Sequence, residues 1–184
     1  MNKYAVIVAG GYGTRMGSST PKQFLSLLDK PLLWYTLDSF LRSYPDLSII
    51  LVLPKEHIAA GEKIAAGFRG VERIKVTQGG ATRFHSVKNG LQQVQEKSVV
   101  FVHDGVRCLV SVPLIHRCYK QAAEKGSAIP AITATDSIRI IKDNEHFAAD
   151  RQQVRIVQTP QTFLSEVILP AFQQEYRSEF TDEA

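Results

Sequence analysis

Cysteine is scarce in this chain, which has Cys108 and Cys118 among its 184 residues. Such a pair provides neither a disulfide framework nor the ligand spacing of a zinc site, and it fits a reducing compartment. No apolar stretch approaches the roughly 20 residues that a membrane-spanning helix needs. The segment 1–4 leads straight into an apolar run, so we expect no signal peptide. These absences predict a cytoplasmic protein with no membrane partner.

A strong excess of one charge is also missing, since the chain has 22 basic and 18 acidic residues and a net charge of only +4. The basic residues do not run together and do not alternate with aromatic ones, as they would on a nucleic-acid-binding face. We therefore expect no nucleic-acid partner, whereas a pocket for anionic small molecules would account for part of the excess. A length of 184 residues with 44% hydrophobic content fits a single domain with a sizeable core.

The most informative stretch starts where the first apolar run, 4–8, ends. That run is typical of a buried parallel strand, and the glycine-rich segment 9–17 follows it directly. Open α/β sheets bind ligands at this position, because glycines let the backbone approach a phosphate and direct N–H groups toward it. We therefore expect nucleotide binding at Ala9, Gly10, Gly11, Gly13 and Thr14.

Two cations accompany this segment, with Arg15 inside it and Lys22 just beyond it. Fixed positive charges suit a polyphosphate on which charge builds up during reaction, so both are candidate catalytic residues. The Gly-Lys-Ser/Thr signature of a P-loop is absent. A nicotinamide-binding turn would require an acid after the second strand, where Pro54 and Lys55 stand. That interpretation, and a glycine turn without any ligand, remain as alternatives.

Strand-like and helix-like patterns alternate along the rest of the chain. This order predicts an α/β protein with a doubly wound, mostly parallel sheet. The predicted strands are 47–53, 73–77, 98–102 and 128–133, and the predicted helices are 31–44, 57–68, 82–95, 113–125 and 167–176, the last kinked at Pro170.

The segment 135–157 departs from this order. Polar and apolar residues alternate over 137–140 and again over 153–156, with a polar stretch between them. This pattern predicts a long hairpin or arm protruding from the single domain 1–184. Because an isolated hairpin is only marginally stable in water, we expect the arm to pack on a second subunit in a homodimer. The alternative is an excursion that folds back on its own domain.

A second glycine pair precedes the helix predicted at 82–95. A flat base can lie against such a pair, and nearby side chains can bind its edge. We therefore assign nucleotide binding to Gly79, Gly80, Arg83 and Ser86 as well. An ordinary strand–helix turn capped by Thr82 would produce the same pattern.

Charged residues follow the strand at 98–102. Asp104 is a candidate ligand for Mg²⁺, which takes few protein oxygens and keeps substrate phosphates in its shell. Arg107 is spaced to bind a phosphate, although a local ion pair of the two is the alternative. His103 is interpreted as a packed, hydrogen-bonded residue rather than a base. A weaker signal places Ser137, Arg151 and Thr159 in a further anion site.

Together these features predict an enzyme that binds a nucleoside triphosphate, Mg²⁺ and a second, phosphorylated molecule. A phosphate monoester has a second pKa near ~6, so at neutral pH it is already a dianionic nucleophile. The enzyme would align it against the α-phosphorus and neutralise the charge, and pyrophosphate would leave.

At these motifs the chain resembles the 2-C-methyl-D-erythritol 4-phosphate cytidylyltransferase family of the non-mevalonate isoprenoid pathway. The resemblance runs in order through 9–17, 21–23, 79–87, 103–107, 150–151, 159–161 and 181–184. It implies a Rossmann-like nucleotidyltransferase that converts CTP and methylerythritol phosphate to the CDP-alcohol and pyrophosphate.

The resemblance also implies residue roles. Arg15 and Lys22 would stabilise the transition state, Gly80 and Ser86 would help to read cytosine, and Asp104 would serve Mg²⁺. The arm would exchange between subunits, so that Arg151 acts in the partner's site. Contacts to the methylerythritol phosphate would come from Arg107, Ser137, Arg151 and Thr159.

The chain departs from the family pattern in places. Gly105-Val106-Arg107-Cys108 replaces the frequent Ala-Ala-Arg-Pro, Ala81 stands where an acid is common, and Ser137 where threonine is common. Family members also continue past 181–184 with a segment that supplies another acid and a lysine, and we expect this chain to lack it. A ribitol-5-phosphate cytidylyltransferase shares nearly every motif, and a non-catalytic nucleotide-binding protein is a further alternative.

Overall fold

A six-stranded sheet forms the centre of the protein. The computed structural model describes residues 1–11, 20–95, 97–180 and 182–183. The strands of this sheet are β1 (Asn2–Val8), β4 (Leu47–Leu53), β5 (Ile74–Gln78), β6 (Ser98–Asp104), β7 (Ser127–Ala128) and β12 (Gln161–Leu164). Their order is β5-β4-β1-β6-β12-β7, in which β5, β4, β1 and β6 run parallel, and β12 runs antiparallel to β6 and β7. The predicted mostly parallel sheet is therefore confirmed.

Helices cover both faces of the sheet, because side chains that alternate along the parallel strands point to opposite sides. The helices are α1 (Leu32–Ser43), α2 (Ile58–Ala65), α3 (Arg83–Leu91), α4 (Val112–Lys125) and α5 (Ser165–Ala171). Ala5 and Ile7 pack with α1, α2 and α4 in one core, whereas Val6 packs with α3 and α5 in the other. The arrangement is the doubly wound one that the alternating pattern predicted.

Caps explain where two helices begin. The Thr82 hydroxyl accepts a hydrogen bond from the His85 amide at the start of α3, and the Ser111 hydroxyl accepts one from Leu114 at the start of α4. Each cap satisfies a backbone donor that the first helical turn leaves open. The cap at Thr82 matters for the site, because α3 begins beside the glycine pair.

The predicted pairing of the arm is wrong. Strand β9 (Ile138–Lys142) pairs with β10 (Glu145–Ala149), not with 153–156. Asp143 and Asn144, at φ of 52° and 65°, close a two-residue turn within the polar stretch that was interpreted as a connection. Strand β11 (Arg155–Val157) pairs instead with β8 (Ala131–Thr133). The arm therefore consists of two antiparallel ribbons rather than one long hairpin.

Further elements differ from the prediction, among them the last helix, which was predicted at 167–176 and runs from Ser165 to Ala171. The strand predicted at 128–133 is two strands, β7 and β8, separated by Ile129 and Pro130. Strand β12 was not predicted, and neither was the small hairpin of β2 (Ser26–Leu27) and β3 (Lys30–Pro31). Among the described residues, no helix has the length and hydropathy to cross a bilayer.

Candidate functional site

Three predicted motifs meet at the carboxyl edge of the sheet. The residue that follows each of the three strands donates a backbone hydrogen bond to the neighbouring strand. The Ala9 amide donates to Val52 at 3.0 Å, the Gly79 amide to Leu53 at 2.8 Å, and the Gly105 amide to Val8 at 2.8 Å. These bonds hold the start of the glycine-rich loop, the glycine pair and the segment after Asp104 side by side. This is the edge at which doubly wound sheets bind ligands.

A residue that follows the glycine-rich loop in sequence bonds to Ala9, where the loop begins. The buried Gln23 side chain donates from Nε2 to the Ala9 carbonyl at 2.9 Å, so the turn Lys22–Phe24 returns to the place where the loop begins. Lys22 is exposed beside this anchor. A Cβ on Gly10 or Gly11 would meet no atom of the described residues within 4 Å. The candidate residues Gly13, Thr14 and Arg15 lie outside the described residues.

The glycine pair lies tightly against the start of α3. A Cβ on Gly79 would lie 2.8 Å from the Ser86 hydroxyl, and a Cβ on Gly80 would lie 2.4 Å from the Cβ of His85. The Ser86 hydroxyl accepts from the Gly80 amide at 3.1 Å and donates to the Thr82 carbonyl at 2.9 Å. Ser86 therefore holds the backbone of the pair in place. Its predicted contact with a base stays a prediction.

Asp104, at the end of β6, accepts hydrogen bonds from two guanidinium groups. Its Oδ1 receives Nε and Nη2 of Arg83 at 3.2 and 3.1 Å, and its Oδ2 receives Nε of Arg107 at 2.8 Å. Arg83 also pairs through Nη1 with Glu183, whose side chain is 3% exposed. Arg107 donates from Nη1 to Oε1 of Gln158 at 2.5 Å. The cluster joins β6, α3, the Gln158 segment and the end of the chain.

The two arginines set the charge of this cluster. Burial acts to raise the pKa of the Asp104 carboxyl, but Arg83 and Arg107 outweigh it and hold that pKa below its ordinary 3.8. Burial raises the pKa of the Glu183 carboxyl above its ordinary 4.5, although Arg83 opposes it. Asp104 is therefore ionised at neutral pH, as a cation ligand must be.

His103 lies fully buried behind Asp104 and binds two residues of the site. Its Nδ1 is 2.9 Å from the Thr159 hydroxyl, and its Nε2 is 3.2 Å from the Arg107 carbonyl. Burial lowers the pKa of His103 from 6.5 to about 4, so the imidazole is neutral at physiological pH. The expectation of a packed, hydrogen-bonded histidine is confirmed.

A cleft of about 200 Å³ opens over these groups. Four predicted site residues line it, namely Arg83, Asp104, Arg107 and Thr159, together with Val157, Gln158, Gln161 and Asp182. Ser137 and Arg151 are exposed on the arm and are not among the residues that line the cleft. The Arg151 guanidinium donates to the Thr135 carbonyl at 2.8 Å. In one chain, the structure brings together part of the predicted second-substrate site and leaves the arm residues outside it.

The donor set of the cleft fits Mg²⁺. This ion takes one or two protein carboxylates and completes its shell with water and substrate phosphates. Asp104 and Asp182 both line the cleft, which provides the oxygen donors that such a site requires. No cluster of three or more possible metal-ligating side chains exists among the described residues, so a metal here would depend on the substrate's oxygens.

Some residues of the site were not predicted from the sequence motifs. Gln23, Gln158 and Gln161 each bond to a group of the site: the Ala9 carbonyl, the Arg107 guanidinium and the Glu183 amide, respectively. Glutamine carries no charge signal, so only the motifs 21–23 and 159–161 marked Gln23 and Gln161, and Gln158 lies just before the second motif. Glu183 was indicated only by its position in 181–184, one of the segments that resemble the family.

An enzyme that transfers a nucleotidyl group needs a phosphate-binding loop, a base site and a cation site within the length of one nucleotide. The carboxyl edge of this sheet has candidates for the three places side by side. Fold and site together therefore define the class of α/β nucleotidyltransferases.

Comparison with known proteins identifies the family within this class. The family model for 2-C-methyl-D-erythritol 4-phosphate cytidylyltransferase matches residues 4–184. The enzyme of that name from Phocaeicola vulgatus is 41% identical over 184 residues, which cover 100% of this chain and 84% of the relative. The enzyme from Porphyromonas gingivalis is 44% identical over 181 residues, or 98% and 81% of the two chains.

Solved structures agree with these relatives. The 4-diphosphocytidyl-2C-methyl-D-erythritol synthase of Anaerococcus prevotii superposes with a TM-score of 0.83 at 26% identity, covering 97% of this chain and 80% of that one. The chain belongs to the 2-C-methyl-D-erythritol 4-phosphate cytidylyltransferase family.

Proposed function

We propose that the cleft at the carboxyl edge of the sheet is the active site of a cytidylyltransferase. The chain is a nucleotidyltransferase that converts CTP and 2-C-methyl-D-erythritol 4-phosphate to CDP-methylerythritol and pyrophosphate, a step of isoprenoid precursor synthesis. The observation that carries the proposal is the convergence of the Ala9 loop, the glycine pair and Asp104 at one edge, held by three backbone hydrogen bonds.

In this proposal the chain contributes binding and charge rather than a nucleophile. The phosphate of methylerythritol phosphate attacks the α-phosphorus of CTP, a new P–O bond forms, and the bond to the β-phosphate breaks to release pyrophosphate. Arg107 holds the attacking phosphate, while the glycine-rich loop and Lys22 hold the triphosphate. Arg15 joins Lys22 in this role on the sequence argument alone.

Magnesium is part of the proposal. Asp104 would hold it, with Asp182 close by on the same cleft. When bound, the ion would neutralise charge on the triphosphate oxygens. The ionised state of Asp104, maintained by Arg83 and Arg107, supports this assignment.

A second copy of the chain is the proposed partner of the arm. Two cross-strand apolar pairs are exposed on it: Ile140 opposite Phe147, 49% and 47% exposed, and Ile132 opposite Ile156, 55% and 45% exposed. Exposed apolar ribbons of this kind need a covering surface. A dimer would also give Arg151 a substrate site to act in. Sedimentation at micromolar concentration should give twice the chain mass for the wild type and the chain mass for Phe147→Glu, and a monomeric wild type would refute the dimer.

The reducing cytoplasm is the proposed compartment, because neither cysteine forms a disulfide and CTP, the proposed nucleotide substrate, is a cytoplasmic metabolite.

Pyrophosphate release tests the activity. The chain should release pyrophosphate with CTP and methylerythritol phosphate, and much more slowly with ATP, GTP or UTP or with ribitol 5-phosphate. Preference for ribitol 5-phosphate would replace the proposed alcohol. Tight CTP binding without pyrophosphate release would identify a non-catalytic nucleotide-binding protein.

A further inference from the structure

His103 takes no direct part in the reaction just proposed, yet it is a fully buried polar residue among apolar neighbours. Its ring packs against Phe40 with the centroids 5.1 Å apart. Burying an imidazole costs free energy unless both nitrogens are hydrogen-bonded, and a phenylalanine would fill the same position without that cost. The two partners of the ring, Thr159 and the Arg107 carbonyl, belong to residues that line the cleft.

The direction of each hydrogen bond follows from its partner. A carbonyl oxygen only accepts, so the nitrogen 3.2 Å from the Arg107 carbonyl, Nε2, carries the hydrogen. The buried ring bonds to no carboxylate among the described residues and is neutral, which leaves Nδ1 as an acceptor. The Thr159 hydroxyl therefore donates to Nδ1 at 2.9 Å, and its oxygen accepts from the Asp104 amide at 3.3 Å.

We propose that His103 is a positioning residue for the second substrate: through one ring it holds the Thr159 hydroxyl and the Arg107 segment at the wall of the cleft. This inference rests on the proposed function of the cleft. It also determines whether the Thr159 hydroxyl donates a hydrogen bond to the substrate or accepts one from it. Because the hydroxyl proton is committed to His103, Thr159 accepts a hydrogen bond from a substrate hydroxyl, and the phosphate, which has only acceptor oxygens, is left to Arg107.

Three substitutions separate the two bonds of the ring. His103→Asn retains an acceptor near the position of Nδ1 and so retains the bond from Thr159. His103→Gln retains a donor near the position of Nε2 and so retains the bond to the Arg107 carbonyl. His103→Phe retains only the packing against Phe40. Phe101→Leu is the matched control, because Phe101 lies on the same face of β6, packs against the same Phe40 ring and has no polar side-chain atom that could bond to the partners of His103.

We expect the variants to change KM for methylerythritol phosphate but not KM for CTP. His103→Phe should raise KM for methylerythritol phosphate about tenfold or more and leave KM for CTP within about twofold. The Asn and Gln variants should show smaller increases, since each retains one bond. Phe101→Leu should lower the melting temperature without raising either KM.

Several results would overturn the inference. They are an unchanged KM for the alcohol phosphate in His103→Phe, an equal rise for both substrates, and the same rise in Phe101→Leu. If His103→Phe does not fold, wild-type KM values in both the Asn and Gln variants would overturn it too.

Calorimetric titration with methylerythritol phosphate in the presence of CTP distinguishes this failure from that of the proposed function. A wild type that binds the alcohol phosphate but releases no pyrophosphate refutes the proposed function. In that case weaker binding by His103→Phe would still support the positioning role, and equal binding would refute it. No binding by the wild type would refute both.

Discussion

The Asp104 carboxylate lies between guanidinium groups from two different elements, and this arrangement defines the charge of the cleft. Arg83 is part of α3, and Arg107 lies in the segment after β6. The two hydrogen-bonded partners of Asp104 therefore come from different parts of the fold. In the proposed reaction, part of this pairing is exchanged, because Asp104 would bind Mg²⁺ and Arg107 the attacking phosphate.

Lys22 is the described cation nearest to the glycine-rich loop in sequence, and its removal should affect catalysis rather than stability. Lys22→Ala should lower kcat by two or more orders of magnitude, about 3 kcal/mol of transition-state stabilisation, because the triphosphate loses a fixed cation. The exposed side chain predicts an unchanged melting temperature. Steady-state pyrophosphate release measures the effect, with Lys63→Ala on the exposed face of α2 as the control. A dehydrogenase using the loop for nicotinamide would lose almost nothing.

The buried His103 should make stability depend on pH. In the folded protein its pKa is lowered from 6.5 to about 4, so between these values the unfolded chain binds the additional proton. Stability should therefore rise with pH across this window and be lost as pH falls, by at most about 3 kcal/mol. Urea unfolding of the wild type and His103→Asn at several pH values checks this. The variant should show a flatter profile, and parallel profiles would contradict the account.

At the scale of elements, the Gln23 side chain joins the turn Lys22–Phe24 to Ala9, just after β1. Gln23→Leu removes the donor to the Ala9 carbonyl and should cost about 1–3 kcal/mol, because a buried acceptor loses its partner. The turn that carries Lys22 would be released, so kcat should also fall. Ser43→Ala is the matched control, since it removes a buried donor to the Phe40 carbonyl at the far end of α1. It should lower stability alone, and equal kcat losses in both variants would exclude a role for the anchor.

Elements whose signal is local could be predicted from the sequence. The largely apolar sequence of β4 and the helical periodicity of α1 each lie within one segment, and both elements were predicted to within a residue or two. The arm was not, because the two runs have equal patterns and the pairing depends on the left-handed conformations of Asp143 and Asn144. Strand β12 has four residues and owes its place to β6 rather than to its own pattern.

In the site, too, the residues with a local sequence signal could be predicted and the contacts between distant residues could not. Gly79 and Asp104 follow predicted strands, and the rule that ligands bind at the carboxyl edge brought them together before any contact was known. The bonds of His103 to Thr159 and of Arg83 to Glu183 join residues 56 and 100 positions apart. No spacing within the sequence carries that information, since it depends on where the strand and the end of the chain pass over the sheet.

At the scale of the whole molecule, the proposed dimer would have two chains build each complete site, with Arg151 acting in the partner's site. Lys22→Ala and Arg151→Ala should each be nearly inactive alone. When they are mixed after dissociation, half of the dimers are hybrids in which one of two sites is intact, so about a quarter of wild-type activity should return. Pyrophosphate release before and after mixing measures it. No recovery in a verified hybrid dimer would place Arg151 in the site of its own chain.

A crystal structure of the chain with CDP-methylerythritol bound is the decisive experiment. We expect cytosine against Gly79 and Gly80, the diphosphate between Gly10 and Lys22, and the methylerythritol carbons in the cleft of Asp104, Arg107 and Thr159. Product bound at any other face of the sheet, or with its diphosphate out of reach of both the loop and Lys22, would show that the carboxyl edge of the sheet is not the active site.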